Sequence, residues 1–324
     1  MNVNKELDLA NNFVNNTNRN IFLTGKAGTG KTTFLHKLKQ NSLKRIVIVA
    51  PTGVAAINAK GVTIHSFFQL PFGPILPNED LKSSGGFNRK FGKTKINIIK
   101  SLDLLIIDEI SMVRADVLDG IDKTLRSYRN RNLVFGGVQV LMIGDLQQLS
   151  PVLKDNEWQI LKPFYNNAFF FSSYAYQQCN PISVELKHIY RQDNPLFINI
   201  LNEIRTNNLS QESANELNKR YQPDFETKED EGYISLTTHN NKAEYTNKVK
   251  LEKLPGKSKI YKAKVEGKFP EFSFPNKESL VLKVGSQVMF IKNDSSADKR
   301  YFNGKIGKVI LLDKDEVVVK CPDD

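Results

Sequence analysis

The 324-residue sequence predicts an α/β protein built around a parallel β-sheet. Two observations support this fold class. A glycine-rich phosphate-binding motif occupies residues 25–32, between a short apolar segment and a helical pattern. Further apolar segments then alternate with helical spacing up to about residue 180. Such alternation is typical of a parallel sheet that is covered by helices.

The elements of this first domain, which we place at residues 1–180, follow in order. Strands are predicted at residues 20–24, 45–50, 102–107 and 138–143, and helices at 33–38 and 115–129. The segment from about 68 to 98 is rich in proline, glycine, asparagine and serine. We therefore expect it to be an insertion on the surface of the first domain and not part of its core.

Two smaller parts are predicted after the first domain. The pattern changes near residue 181, where a second α/β domain is expected to begin and to run to residue 254. It would contain strands at 182–186 and 232–237 and helices at 194–205 and 241–254. The first helix would turn its apolar residues inward; these are Leu196, Phe197, Ile200, Leu201 and Ile204. Short β-like runs separated by glycine predict a small β-barrel, or part of one, at 255–324.

Composition narrows the function classes. Forty per cent hydrophobic and 25% charged residues are ordinary for a globular protein, and no apolar run approaches the length of a membrane span. The two cysteines are too few for a disulfide framework, so we expect reduced thiols and a cytoplasmic location. A net charge of +11 favours a polyanionic partner, although a solvated lysine surface alone would give the same value.

The glycine-rich motif has the form G-x-x-x-x-G-K-T, which predicts a loop that binds nucleotide phosphates. Its backbone N–H groups and the following helix N-terminus would surround the anion. Lys31 would reach the β- and γ-phosphates, and the hydroxyl of Thr32 would bind Mg²⁺. The residues expected to contact the nucleotide are Gly25, Ala27, Gly28, Thr29, Gly30, Lys31, Thr32 and Thr33.

Two later strand ends supply polar groups for the same site. Asp108 and Glu109 follow an apolar strand, so Asp108 would hold Mg²⁺ through water and Glu109 would orient or deprotonate the attacking water. Gln148 follows the next strand and is a neutral donor suited to sensing the γ-phosphate. The carboxyl ends of parallel strands lie at one edge of a sheet, where ligands bind.

Small and hydroxyl residues after the second strand are suited to nucleic-acid phosphates. We assign this contact to Pro51, Thr52 and Gly53, and a contact to phosphates and bases to His65, Ser66 and Phe67. For Phe67 the alternative is a place in the core, and for His65 it is an ordinary hydrogen-bonding role.

Five of these segments, in this order and spacing, closely resemble motifs of the PIF family of DNA helicases, superfamily 1B motors related to RecD. They read GKAGTGKT, VAPTGVAA, TIHSFF, IIDEISMV and GDLQQLSPV. The segments HIYRQ (188–192) and LTTHN (236–240) resemble later motifs of the same family. The resemblance implies a RecA-like first domain, a partial second RecA-like domain, and ATP with Mg²⁺ as cofactors.

The resemblance also implies roles in the second half of the chain. It gives Arg191 a contact with the γ-phosphate, and Thr238, His239 and Asn240 a contact with DNA. The implied partners are single-stranded and forked or structured DNA, and we expect a monomer associated with a bacterial-type nucleoid. Two late family motifs do not occur, so we expect the chain to stop inside the β insertion and to unwind duplex DNA poorly.

Two other functions remain open at this stage. A non-motor P-loop enzyme, such as a small-molecule kinase or nucleotide switch, would turn over ATP regardless of DNA. A nucleic-acid-binding protein could retain ATP and hydrolyse little of it. Both are alternatives to a 5′-to-3′ DNA helicase.

Overall fold

The computed structural model describes residues 4–71, 73–77, 91–192, 194–225, 233–264, 276–291, 294, 296, 298, 300–301 and 304–322. The chain divides into two compact units, Met1–Glu216 and Leu217–Asp324. Each unit has its own sheets, and the first contains the motifs of the nucleotide site.

A six-stranded parallel sheet forms the centre of the first unit. Its strands are β1 Ile21–Gly25, β2 Ile46–Ala50, β3 Val62–Thr63, β4 Leu104–Ile107, β5 Gln139–Ile143 and β6 Ile182–Leu186. They lie in the order β3-β2-β4-β5-β1-β6. Because every neighbouring pair is parallel, all six carboxyl ends lie at one edge of the sheet.

Helices cover both faces of this sheet. The described helices up to residue 218, not all of which lie on the sheet, are α1 Lys5–Asn16, α2 Lys31–Asn41, α3 Gly53–Asn58, α4 Ile64–Phe68, α5 Lys93–Ser101, α6 Ala115–Tyr128, α7 Asp155–Leu161, α8 Tyr174–Cys179, α9 Pro195–Arg205 and α10 Gln211–Asn218. Local chemistry sets several of their starts. The Asn194 side chain accepts the N–H of Phe197, and Pro195 follows it at the first helical position, where a missing N–H costs nothing.

The core has two layers because successive strand residues point to opposite faces. In β4, Leu105 and Ile107 pack on one side of the sheet, while Leu104 and Ile106 pack on the other. All four are fully buried. Continuous apolar strands of this kind are typical of a parallel sheet with helices on both faces.

The boundary of the first unit lies further along the chain than the sequence analysis placed it. β6 was expected to open a second domain, yet it pairs with β1 from Ile21↔Ile182 to Gly25↔Leu186. Val184 and Leu186 are buried while Ser183 and Glu185 are exposed, which is the alternation of an edge strand with one covered face. The first sheet therefore includes residues that the sequence assigned to the second domain.

The apolar face of α9 was also predicted incorrectly. Only Ile200 is buried, whereas Leu196, Phe197, Leu201 and Ile204 are 39–52% exposed. Helical periodicity identifies an apolar stripe, but it does not show whether another element covers that stripe.

The segment 68–98 is only partly a surface insertion. Phe68, Leu70, Ile75 and Phe91 are buried in the core layer that contains β4 and α6, and α5 begins at Lys93. Apolar residues scattered among turn-forming residues were sufficient to anchor both ends of the segment. Residues 78–90 lie outside the described part of the chain.

The second unit contains α11 Asn240–Lys253 and two small antiparallel sheets. One pairs β7 Lys259–Lys262 with β8 Ser279–Leu282, and the other orders β9 Gln287–Met289, β10 Ile306–Leu312 and β11 Val317–Lys320 as β11-β10-β9. All five strands lie within 255–324, the range for which short β-like runs were predicted. The strand predicted at 232–237 is not found, because residues 233–237 are irregular. Gly232, the first residue of that prediction, lies outside the described residues. The described strands form separate sheets and not a closed barrel.

Candidate nucleotide site

The phosphate-binding loop connects β1 to α2 at the carboxyl edge of the sheet. Gly25 has φ +151°, and a Cβ there would lie 2.7 Å from the carbonyl oxygen of Leu186. Gly28 has φ +80°, and a Cβ there would lie 2.6 Å from Cβ of Arg191. Only glycine meets both conditions without strain, so the motif glycines are required by the packing of β6 and the chain after it.

Lys31 occupies the centre of the loop. Its Nζ donates to the carbonyl oxygens of Gly25 at 2.5 Å and Lys26 at 2.9 Å. Burial lowers the pKa of Lys31, and the carboxylates of Asp145 and Glu109 act in the opposite direction. The ammonium group therefore lies among acidic groups, held by backbone carbonyls.

The threonines of the motif have different environments. Thr32 and Thr33 are exposed in the first turn of α2, where a hydroxyl and free N–H groups are accessible to an anion or metal. Thr29 is fully buried, and its hydroxyl donates to the carbonyl oxygen of Lys26 at 2.8 Å. Its side chain shapes the loop and does not face solvent, while Ala27 is exposed at the loop tip.

Asp108 and Glu109 lie at the end of β4, on the same edge as the loop. Asp108 is 7% exposed, and its burial, with the charge of Glu109, raises its pKa to about 6. Glu109 has φ +51°, a left-handed conformation in which the chain leaves the sheet. The adjacent carboxylates thus have distinct environments, because one is buried and the other is partly exposed.

The end of β5 contains a hydrogen-bonded cluster around Asp145. Arg205 of α9 donates to both of its carboxylate oxygens, at 2.6 and 2.5 Å. The amide of Gln148 donates to Oδ2 at 3.0 Å, and the N–H of Gln147 donates to Oδ1 at 3.1 Å. The sequence predicted Gln148 at this edge but not Arg205, which is sixty residues from Asp145 and has no motif around it.

Arg191 lies beside the loop, with its backbone and Cβ against Gly28, and its side chain is exposed. The preceding N–H, that of Tyr190, donates to the carbonyl oxygen of Gly28 at 2.7 Å. The ring of Tyr190 is close to Gly30, and its hydroxyl accepts a hydrogen bond from the side chain of Asn4 at 2.9 Å. Tyr190 and Asn4 were not predicted, and both add to the surroundings of the loop.

The proposed nucleic-acid contacts of the first unit lie near the ends of β2 and β3. Pro51, Thr52 and Gly53 are partly exposed, and the hydroxyl of Thr52 accepts the N–H of Ala55 to cap α3. Ser66 is exposed on α4. Burial, together with the charge of Arg114, lowers the pKa of His65, so this side chain is neutral at physiological pH.

Phe67 does not have the exposure expected of a base-stacking residue. It is 6% exposed, its ring meets that of Phe68 edge to face at 4.8 Å, and Nζ of Lys95 lies 4.0 Å from its centroid. The burial of Phe67 therefore favours the core alternative, because it is one of three residues of the five in α4 that are buried. A contact of Phe67 with DNA stays a prediction to be tested.

The remaining predicted DNA contacts belong to the second unit. Thr238, His239 and Asn240 are exposed where α11 begins, and Oγ1 of Thr238 lies 2.8 Å from Nδ1 of His239. Their contact with nucleic acid stays a prediction.

The groups around Lys31 fit a nucleotide with Mg²⁺. The loop tolerates only glycine at its close approaches, the hydroxyl of Thr32 is exposed, and Asp108 is buried without an ion-pair partner among the described side chains. Among the described residues no three His, Cys, Asp or Glu side chains form a metal cluster. Mg²⁺ is commonly bound by one or two carboxylates plus substrate phosphates, which agrees with this arrangement.

No helix in the described part of the chain is long and apolar enough to cross a membrane.

Comparison with known proteins agrees with the motif assignments. The family model described as PIF1-like helicase matches residues 4–215. The chain is 32% identical over 312 residues to the ATP-dependent DNA helicase PIF1 of Saccharomyces cerevisiae, covering 90% of this chain and 34% of that protein. The human protein of the same name is 32% identical over 304 residues, covering 90% of this chain and 44% of its own length. The chain thus spans less than half of these curated relatives.

Solved structures extend the match to the whole chain. The crystal structure of Bacteroides Pif1 bound to single-stranded DNA is 40% identical, with a TM-score of 0.86, and covers 100% of this chain and 72% of that one. Pif1 helicase from Candida albicans is 30% identical with a TM-score of 0.76, covering 97% and 70%. On the family model and on these structures, the chain belongs to the PIF1-like helicase family.

Proposed function

We propose that this chain is a DNA-dependent ATPase of the helicase type, which couples ATP hydrolysis to 5′-to-3′ movement on single-stranded DNA. The observation that carries the proposal is the meeting of Lys31, Asp108, Glu109 and Gln148 at one edge of the sheet, in a family of DNA helicases. A small-molecule kinase would share the loop, but the family match argues against that alternative.

The catalytic roles follow from the positions of the side chains. Lys31 and the loop N–H groups bind the β- and γ-phosphates, and Arg191 beside Gly28 is suited to the γ-phosphate. Asp108 and Thr32 would hold Mg²⁺, which supplies positive charge to the phosphates. Glu109 accepts a proton from the attacking water, whose oxygen bonds to the γ-phosphorus while the bond to the β–γ bridging oxygen breaks. The products are ADP and phosphate.

Single-stranded DNA is the proposed polynucleotide partner. Bacteroides Pif1 binds single-stranded DNA, and another neighbour, with a TM-score of 0.86, concerns unwinding at forked duplex DNA by two coordinating Pif1 helicases. By analogy we assign DNA contacts to the Pro51–Gly53 loop, His65, Ser66 and the 238–240 segment, and we assign the start of α11 to a second RecA-like domain. The oligomeric state stays a prediction.

The first experiment measures ATP turnover with and without single-stranded DNA. We expect stimulation by DNA in the wild-type chain and none in Lys31→Ala, which loses its phosphate contact. Glu109→Gln should still bind Mg²⁺-nucleotide but turn it over slowly, because the amide accepts no proton. Turnover that DNA does not change would favour a non-motor P-loop enzyme, and nucleotide binding without turnover would favour a DNA-binding protein.

A further inference from the structure

Asp145 is a buried carboxylate with all of its hydrogen-bonding capacity engaged. Its side chain is 1% exposed and accepts two bonds from Arg205, one from Gln147 and one from Gln148. Burial alone would raise the pKa of Asp145, but these bonds outweigh it and hold the pKa below its usual value. Asp145 is therefore ionised at neutral pH, beside the nucleotide site.

Arg205 belongs to a helix that meets the nucleotide site at two points, one turn apart. The side-chain oxygen of Asn202 accepts a hydrogen bond from Nζ of Lys26 in the phosphate loop at 2.6 Å. The guanidinium of Arg205 binds Asp145. The backbone carbonyl oxygen of Arg205 accepts a hydrogen bond from the side-chain amide of Gln147 at 3.3 Å. The polar residues of α9 thus face the loops after β1 and β5.

Lys31 and Arg205 are both cations at the sheet edge that contains Asp145. The loop of Lys31 follows β1 and Asp145 follows β5, and these two strands pair side by side up to Leu23 and Ile143. In the structure Lys31 donates to backbone carbonyls, while Asp145 is neutralised by Arg205. Without Arg205, Asp145 would be a buried charge lacking its partner, and Lys31 is a nearby cation able to replace it.

We propose that Arg205 is a positioning residue of the nucleotide site, which neutralises Asp145 and thereby leaves Lys31 available to bind the phosphates of the nucleotide. The inference rests on the proposed ATPase function. It makes α9 part of the nucleotide site, although this helix follows the sixth strand and contains none of the phosphate-binding motif.

The test compares single and double variants of Arg205 and Asp145. For each variant, the Kd for mant-ADP and for mant-AMPPNP is measured at equilibrium with Mg²⁺. Arg205→Ala should raise the Kd for both nucleotides about tenfold or more, since an uncompensated buried carboxylate is strongly unfavourable and captures Lys31. Arg205→Ala combined with Asp145→Asn should restore most of the affinity, because the neutral amide has no charge to capture Lys31. Thermal melting of each variant confirms that it is folded.

Arg45→Ala is the matched control. Arg45 makes a two-point ion pair with Asp103, at 2.7 Å for both bonds, before β2 and β4 and hence at the opposite edge of the same sheet. Arg45→Ala should leave both Kd values unchanged. Lys31→Ala should weaken binding in the wild-type background but add little to Arg205→Ala, because Lys31 is already captured in that variant.

Three results would overturn the inference. An unchanged Kd in folded Arg205→Ala would show that Arg205 does not influence the phosphate site. An equally weak double variant would show that its effect does not depend on the charge of Asp145. A loss confined to mant-AMPPNP would identify Arg205 as a direct γ-phosphate contact. Failure of the wild-type chain to bind either nucleotide would instead overturn the proposed function, and this inference with it.

Discussion

At the scale of single residues, the nucleotide site contains charges that are held at a cost to stability. Burial raises the pKa of Asp108 and lowers the pKa of Lys31, so both groups are less favourably charged than in water. Such shifts concentrate at functional sites, where side chains must be poised for ligands that are absent from the free protein. These side chains are therefore arranged to bind a ligand, and the free protein is less stable than it would be without their buried charges.

Asp108→Asn should stabilise the free protein at neutral pH. The pKa of Asp108 in the folded protein is about 6, above the ordinary aspartate value of 3.8, so ionised Asp108 opposes folding. The loss of unfolding free energy caused by ionised Asp108 is absent below about pH 4 and grows up to about pH 6. At roughly 1.4 kcal/mol per pKa unit, this loss reaches about 3 kcal/mol. Thermal or denaturant unfolding with EDTA, at pH 4 and pH 7.5, measures the difference between variant and wild type.

Asp103→Asn is the matched control for that measurement, with the opposite sign. The hydrogen bonds from Arg45 lower the pKa of Asp103 to about 2. Its stabilising contribution is therefore present above pH 4 and lost as the pH falls through about 2, so the variant should be less stable than wild type at pH 7.5. A destabilised Asp108→Asn protein at pH 7.5 would contradict the assigned burial cost.

At the scale of elements, two apolar helices contribute to the molecule in different ways. α4 has only five residues, but Ile64, Phe67 and Phe68 are buried, and the hydroxyl of Thr63 accepts the N–H of Ser66 to cap it. α9 has eleven residues and buries only Ile200. The short helix is thus a core element next to the proposed DNA contacts, while the longer one contributes polar contacts to the nucleotide site.

Phe67→Ala should destabilise the protein and not act on DNA directly. Removing this buried ring should lower the free energy of unfolding by about 3–5 kcal/mol, and Phe67→Leu should cost less because it fills more of the space. The measurement is denaturant unfolding of both variants, with single-stranded DNA affinity of the folded Phe67→Leu protein as the second readout. A large loss of DNA affinity at unchanged stability would place the ring in the DNA contact after all.

At the scale of the whole molecule, we expect the positive charge to favour a polyanionic partner. The net charge is +11, and residues 240–264 alone contain eight lysines and two glutamates. α11, within this stretch, has no buried residue. Exposed lysines of this density are suited to phosphate contacts that do not depend on base sequence.

The affinity for single-stranded DNA should fall linearly in a plot of log K against log salt concentration. Each phosphate neutralised should contribute about 0.7 to the slope, because binding releases condensed counterions. Combining Lys250→Gln with Lys253→Gln should flatten the slope by about 1.4 if both lysines contact phosphates. Fluorescence anisotropy with an oligo-dT probe measures both slopes, with Lys5→Gln as the control, and salt-independent binding would refute the charge argument.

The sequence alone determined the features that depend on local chemistry. The glycines and Lys31 of the phosphate loop, the carboxylates after β4, and the central strands were all predicted from short stretches of chain. This succeeds because a tight loop, a buried strand and a helix cap each impose requirements on neighbouring residues, and those requirements are visible as spacing.

Tertiary structure decided what depends on distant partners. β6 belongs to the first sheet because it pairs with β1, and Phe67 is buried beside Lys95. Most of the apolar face of α9 is exposed, and Arg205 forms an ion pair with Asp145. No periodicity encodes these outcomes, because an apolar or charged side chain has the same local pattern whatever it finally contacts. The physical reason is that burial and ion pairing are set by which surfaces meet, and only the folded chain brings together residues that are far apart in sequence.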